Sequence, residues 1–312
     1  RPVEAAGADA AVAVLAGSGD EGPLLAEYLG GAAASAEFTD RWRIPGEAHS
    51  RTWEDRFGEQ AYGPLVEKAW ADALRAVGLE AGDVDRAVVT GLHRRAAARL
   101  AGTLGVAGAD DLATEVGNTG AAHPTLLLAH LLDSAEADRV VALVVLADGC
   151  DVLLFRTTGA LGAGRPARTV SAQLGHRADV PYGRYLAWRG LLDAQAPNRP
   201  APSRTSSPAA LRRADWKLGL VGSRDTTTGI THLPPSRIGI SGGTLDDMEE
   251  APMADATGTV ITVTVDHLAY SPSPPVVFAV VDFDDEGGTT RMPVELTDVA
   301  PDAVSIGDRV EM

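Results

Sequence analysis

The sequence predicts a layered α/β half followed by a small all-β barrel, and three observations carry that reading. Up to about residue 157, apolar stretches alternate between short strand-like runs and longer amphipathic ones. From residue 258 onward, short segments mix β-branched with polar residues and are separated by Pro, Gly and Asp. Between the two, composition shifts to Pro, Arg, Ser, Gly and Ala. These shifts divide the chain into an α/β half at 1–157, a linker at 158–211, a ribbon-like segment at 212–254 and a barrel at 255–312.

Residues 10–16 (AAVAVLA) are stopped at once by Gly17-Ser18-Gly19, which predicts a buried core strand rather than a helix. Residues 24–44 are mixed in pattern and read as an exposed excursion. Within it, Asp40-Arg41-Trp42-Arg43 offers aromatic and basic groups; Trp42 either packs on its own loop or meets the polar end of a ligand. Phe57, Ala61, Leu65, Ala69, Ala73 and Val77 recur at a four-residue step, predicting a long helix over 54–77 ended by Gly78. A buried strand at 83–92 precedes His93, and a helix over 94–104 follows it. The turn Gly117-Asn118-Thr119-Gly120-Ala121-Ala122-His123-Pro124 opens an apolar helix at 125–133. Strands at 140–146 and 152–155 flank the turn Asp148-Gly149. A five-stranded layer with helices on one side is expected, leaving apolar surface for a second half to cover.

Two polar side chains stand out against this apolar background. His93 follows a buried strand, at the edge where loops of open α/β sheets carry chemistry. Asn118 lies in a small-residue turn entering a buried helix, where free N–H groups and the helix dipole can face developing negative charge. These are the candidate catalytic pair, with Gly120, Ala121, His123 and Trp42 as candidate substrate contacts. No Gly-rich phosphate loop, paired-carboxylate motif or metal cluster emerges.

The 312 residues carry a formal net charge of −16, which opposes non-specific binding to nucleic acid or an anionic membrane. The single cysteine, Cys150, excludes an internal disulfide framework and a Cys-based zinc site, so a reducing cytoplasm is the expected home. Apolar runs are short and lack a signal-peptide pattern. Because the first residue is Arg1 rather than Met, a processed, trimmed or longer chain is expected.

The order Trp53-Glu54-Asp55-Arg56-Phe57, Gly91-Leu92-His93-Arg94-Arg95-Ala96, Gly117-Asn118-Thr119-Gly120-Ala121-Ala122 and Asp148-Gly149-Cys150-Asp151 resembles the C-terminal half of a thiolase-fold condensing enzyme. The branch it most resembles is that of ketoacyl-ACP synthase III and HMG-CoA synthase, over about residues 5–157. The resemblance implies that His93 and Asn118 hydrogen-bond a thioester carbonyl and stabilise the enolate of a Claisen-type condensation. It also implies a nucleophilic cysteine on an N-terminal half that precedes residue 1. Cys150 sits at a hairpin turn and reads as a buried structural thiol.

In the second half of the chain, residues 182–192 place Tyr185, Leu186, Trp188, Leu191 and Leu192 largely on one helical face, as suits docking onto another surface or onto the chain's own first domain. The linker centre is Pro197-Asn198-Arg199-Pro200-Ala201-Pro202. Residues 223–229 and 232–243 resemble the zinc ribbon of OB-fold proteins that accompany thiolases. In that ribbon Asp225, Thr228, Gly239 and Gly242 would be cysteines, and His232 with Asp225 leaves the ligand set incomplete, so no metal is expected. Strands are expected at 258–265, 275–282, 289–296 and 306–311. OB folds often bind nucleic acid, yet this one has few basic residues and many carboxylates (Asp282, Asp284, Asp285, Glu286), so the usual electrostatic groove is missing and a thiolase neighbour is the expected role.

Two function classes follow. The first is an acyl-thioester condensing or acyl-transfer enzyme that takes CoA or acyl-carrier-protein thioesters as substrates and needs no cofactor. Its cysteine half would come from the same or another chain, in a homodimer or a heteromer with a thiolase-type subunit. The alternative is a non-catalytic scaffold subunit of an acyl-CoA-processing complex.

Overall fold

The computed structural model describes residues 6–312 except 21, 48, 167, 178, 193–202, 243, 272 and 286–287; it leaves the side chains of 285, 288 and 289 undescribed. The linker centre at 197–202 and Glu286 therefore lie outside the described residues. The chain divides into two units, Arg1–Asp179 and Val180–Met312.

The first unit is built on five strands, β1 (Ala26–Ser35), β2 (Val84–Gly91), β3 (Ala107–Gly108), β4 (Val140–Leu146) and β5 (Gly149–Thr157). Their order across the sheet is β1-β5-β4-β2-β3. β4 pairs with β2 in parallel and with β5 as an antiparallel hairpin, whose turn is allowed by Asp148 at φ 52°. β4 (VVALVVL) is apolar on both sides because both faces of the sheet are covered. On one face, Val66, Ala69 and Ala73 of helix α1 (Asp55–Val77) and Ala96, Ala97 and Leu100 of α2 (Arg94–Ala101) pack on Val89, Ala142, Val144 and Leu154. On the other, Leu127 and Leu131 of α3 (His123–Ser134) pack on Val88, Val141 and Leu143. Helices thus lie on both sides of the sheet, which corrects the expectation of a single helical layer.

Two other expectations are overturned nearby. Residues 10–16 form no strand, and Val14 and Leu15 are exposed. The edge position beside β5 is taken instead by β1, inside the stretch read as an exposed excursion; its register runs from Ala26 opposite Thr157 to Ser35 opposite Gly149. The strand was hidden by its composition, since Gly30, Gly31 and Ala32 to Ala34 carry no apolar alternation. Small size has a purpose here: a Cβ on Gly31 would lie 2.2 Å from the Val152 carbonyl oxygen.

The region read as an extended linker begins with two short helices, α4 (Leu161–Gly164) and α5 (Val170–Gly175). Leu161 is buried, Val170 and Leu174 join the second-face core, and the Val170 N–H donates to Asp133 Oδ2 at 2.7 Å. These residues belong to the first unit rather than to a spacer.

The second unit opens with the short helices α6 (Tyr182–Trp188), α7 (Ser207–Leu211) and α8 (Ala214–Lys217). Tyr182, Trp188, Leu191 and Leu192 are exposed. A small antiparallel sheet follows, β6 (Val221–Asp225) between β7 (Thr231–His232) and β8 (Met248–Pro252). The last strands, β9 (Thr257–Asp266), β10 (Val276–Asp285), β11 (Gly288–Leu296) and β12 (Arg309–Glu311), form an antiparallel sheet in the order β11-β10-β9-β12. Val260, Val281, Phe283 and Met292 fill its core. The carboxylates of Asp282 and Asp284 are engaged by Arg291 and Arg309, so these two are ion-paired within the sheet.

Candidate active site

β2 delivers His93 to the carboxyl edge of the sheet. Gly91 ends the strand where a Cβ would stand 2.6 Å from the Leu146 carbonyl oxygen, so only glycine keeps β2 close to β4 here. His93 is the N-cap of α2, and its Nδ1 accepts the Ala96 N–H at 3.0 Å. An imidazole whose Nδ1 accepts carries its proton on Nε2. That Nε2 is buried and, among the described residues, has no hydrogen-bond partner. The ring lies flat against α1 at Gly58, where an added Cβ would fall 2.2 Å from Cδ2 and 2.3 Å from Nε2.

The position of α2 on α1, and with it that of His93, is pinned by charge. Glu59, nearly buried on α1, pairs with Arg95 at 2.6 Å and with Arg99. The Arg99 hydrogen bond and the nearby Arg95 charge hold the Glu59 carboxyl below the usual carboxylate range. Gly58 and Glu59 escaped sequence reasoning. A glycine in the first turns of a helix, which weakens the helix, was the available signal.

An aromatic ladder leads from the surface to the same imidazole. Trp42 meets Trp53 with centroids 6.0 Å apart, Trp53 meets Phe57 at 5.3 Å, Phe57 meets Phe38 at 6.3 Å, Phe38 meets Tyr62 at 5.1 Å, and Tyr62 meets His93 at 6.5 Å. Tyr62 donates to Asp40 at 3.3 Å, and burial, with the Asp40 carboxylate, pushes its pKa up to about 12. Trp42 is the partly exposed outer ring of this ladder, and its neighbour Arg41 donates to the Leu92 carbonyl at 3.2 Å, beside His93.

Asn118 sits in the loop that follows β3. Its backbone forms a parallel bridge to residues 6–8, with its N–H on the Ala6 carbonyl at 2.7 Å and its carbonyl receiving the Ala8 N–H at 2.9 Å. Gly117, at φ 87°, lets the Ala6 carbonyl approach; a Cβ there would lie 2.5 Å from it. The Asn118 Oδ1 accepts the Gly120 N–H at 2.8 Å, so the amide NH₂ is the group left to donate. Gly120 to Ala122 make a 3-10 turn with Ala121 exposed, and α3 begins at His123. His123 is buried, its Nδ1 is 3.4 Å from the Thr119 hydroxyl, and burial lowers its pKa against the opposing pull of Asp111. It forms part of the wall of the turn. The His93 and Asn118 loops share the carboxyl edge of parallel strands and are linked by Arg94, which donates to the Ala113 carbonyl at 3.5 Å.

An apolar cavity of about 510 Å³ lies elsewhere in this unit, under residues 12–18 and against Leu128, Leu132, Phe155 and Leu161; none of the predicted site residues lines it. Cys150 is buried in β5 opposite Leu146 and Ala34, and burial, with Asp151 nearby, pushes its thiol up to about 12. Such a thiol is no nucleophile near neutral pH. Its alkylation by iodoacetamide at pH 8 is expected to be about 1,000-fold slower in the folded chain than in denaturant. Equal rates, read by intact mass, would contradict this.

The fold and the site define an α/β unit with an imidazole and an amide at one sheet edge, followed by an OB-fold domain. A family model described as the ChsH2 C-terminal OB-fold domain matches residues 250–312. Among solved structures, the chain is similar to an Ltp2-ChsH2(DUF35) aldolase, at 27% identity over 36% of this chain and 85% of that one, with a TM-score of 0.27. It is also similar to 3-oxoacyl-(acyl carrier protein) synthase III, FabH, from Pseudomonas aeruginosa PAO1, at 21% identity over 42% of this chain and 44% of that one, with a TM-score of 0.35. A third similar structure is an HMG-CoA synthase complexed with CoA, at 14% identity over 56% of this chain and 49% of that one, with a TM-score of 0.39. The chain therefore spans less than half the length of either synthase. No curated protein matches it. Among the described residues, no helix is long and apolar enough to cross a membrane.

Proposed function

We propose that this chain supplies the oxyanion-stabilising half of an acyl-thioester condensing enzyme whose nucleophilic cysteine lies on another segment or subunit. The observation that carries this reading is the state of two side chains. His93 has its Nδ1 occupied by the Ala96 N–H, leaving a protonated, buried Nε2 without a partner among the described residues. Asn118 has its Oδ1 occupied by the Gly120 N–H, leaving its NH₂ group to donate. Both side chains are thus fixed as hydrogen-bond donors, which is what a developing enolate oxygen needs. A scaffold has no physical use for a buried N–H left unsatisfied.

In the proposed reaction, a donor thioester loses a carboxylate as CO₂, or gives its α-proton to a base on the cysteine-bearing half, and negative charge gathers on its carbonyl oxygen between these donors. The carbanion attacks the acyl group held as a thioester on the cysteine. A C–C bond forms, the C–S bond breaks, and the cysteine leaves as thiolate. Donors held in place before the reaction stabilise that oxygen without reorganisation. CoA or carrier-protein thioesters are the proposed substrates, and the partner is a thiolase-type half in the same assembly.

Co-purifying the chain with a cysteine-bearing thiolase-type subunit and supplying acyl-CoA or acyl-carrier thioesters tests the reading. A condensed product that requires both components is expected. Acyl loading of the cysteine at the same rate with and without this chain, and no condensation in its presence, would reduce it to a scaffold.

A further inference from the structure

The segment that resembles a zinc ribbon does not fit a metal, and the structure shows what stands in its place. Zinc takes thiolate or imidazole donors in a tetrahedron. Here the corners that would carry cysteines are Asp225, Thr228, Gly239 and Gly242, and among the described residues no group of three His, Cys, Asp or Glu side chains assembles. His232 has a buried Nε2 without a partner among the described residues, but that is one metal-donor atom.

Asp225 ends β6 fully buried, and its carboxylate is saturated by hydrogen bonds. Oδ1 accepts the N–H groups of Thr227 at 2.9 Å and Thr228 at 3.2 Å, from the first loop. Oδ2 accepts the hydroxyl of Thr244 at 2.6 Å, from the second. That second loop is a hairpin closed by the Arg237–Asp246 ion pair, with the Gly239 N–H on the Thr244 carbonyl at 3.0 Å. The empty corners point inward. A Cβ on Gly239 would lie 1.9 Å from Asp225 Oδ2 and 2.3 Å from Thr244 Oγ1, and one on Gly242 would lie 3.6 Å from the Thr228 methyl. Position 239 therefore faces 225, and 242 faces 228, the arrangement of two ligand pairs across a shared centre.

We infer that Asp225 closes this ribbon in place of a metal, its carboxylate joining the two loops through Thr244 at the point where four ligand side chains would otherwise converge. The carboxylate is in reach of N–H donors at the turn, as a thiolate would be, and the hydroxyl spans to the second loop. Glycine at 239 is then a requirement, because any side chain would displace the bond between Asp225 and Thr244.

Zinc analysis and melting of the full chain, with the variants Asp225→Asn and Thr244→Val, test this. The wild-type chain purified with zinc present is expected to hold no stoichiometric zinc and to melt at the same temperature with and without EDTA. Stoichiometric zinc whose removal lowers the melt would overturn the inference. Each single variant is expected to lower the melting temperature of the C-terminal unit by about 5 to 15 °C, and the double variant by little more than the worse single, since both remove one shared bond. Wild-type melting in both singles, or fully additive losses, would overturn it. Cysteine at all four positions (Asp225→Cys, Thr228→Cys, Gly239→Cys, Gly242→Cys) is expected to bind zinc and melt reversibly with it. Failure to take up zinc, or to fold with zinc present, would show that the four corners do not converge.

Discussion

His93→Ala and Asn118→Ala are each expected to lower condensation by about 100- to 1,000-fold in the assembled enzyme, the loss seen when one oxyanion donor is removed. Acylation of the cysteine should change little, because the enolate oxygen develops only in the second half-reaction. His93 also caps α2 through Ala96, so its removal costs about 1 kcal/mol of helix stability. His93→Asn, which keeps a capping oxygen while displacing the donor, separates the two effects: its melting should stay near wild type while condensation stays low. Single-turnover measurement of acyl loading and of product formation reads both steps. Wild-type condensation in either alanine variant would remove that side chain from the chemistry.

Gly58→Ala is expected to cost about 100-fold in condensation with the fold retained, although position 58 carries no functional group. Alanine is the better helix former at an ordinary site by about 1 kcal/mol. Here its methyl would occupy the space of the imidazole, 2.2 Å from Cδ2. Either the ring turns away or α2 lifts from α1, and α2 is tied down by Glu59 to Arg95 and Arg99. The ring is therefore the part that yields, and a displacement on the order of 1 Å at a catalytic group costs about 100-fold. Circular dichroism should show retained helix. Unchanged condensation would mean that the ring position seen against Gly58 is not the one used.

Legibility in the sequence followed side-chain size. The long helix was visible because Leu65, Ala69 and Ala73 repeat at its period, and β4 because seven apolar residues stand together. β1 was invisible because a strand of glycine and alanine has no alternation to detect, and its existence depends on the neighbouring β5 backbone. The error at 10–16 is the converse: that run has strand composition, but a strand exists only where another backbone completes its ladder. The candidate pair was legible because a polar residue after a buried strand, and an asparagine among glycines, are local anomalies. The tautomer of His93, the contact with Gly58 and the Asp225 centre depend on residues distant in sequence, and no local pattern announces them.

The apolar stretch at 10–16 has a consequence for handling the protein. Residues 12–18 lie across α3 with a void of about 510 Å³ beneath them, and Val14 and Leu15 face water. An exposed, uncharged, apolar run outside any strand is the kind of segment that other chains can pair with. Dilution, low ionic strength and short storage would then govern how long the isolated chain remains dispersed. A charge placed at Val14 or Leu15 would act as a gatekeeper at little cost to a core in which neither residue takes part.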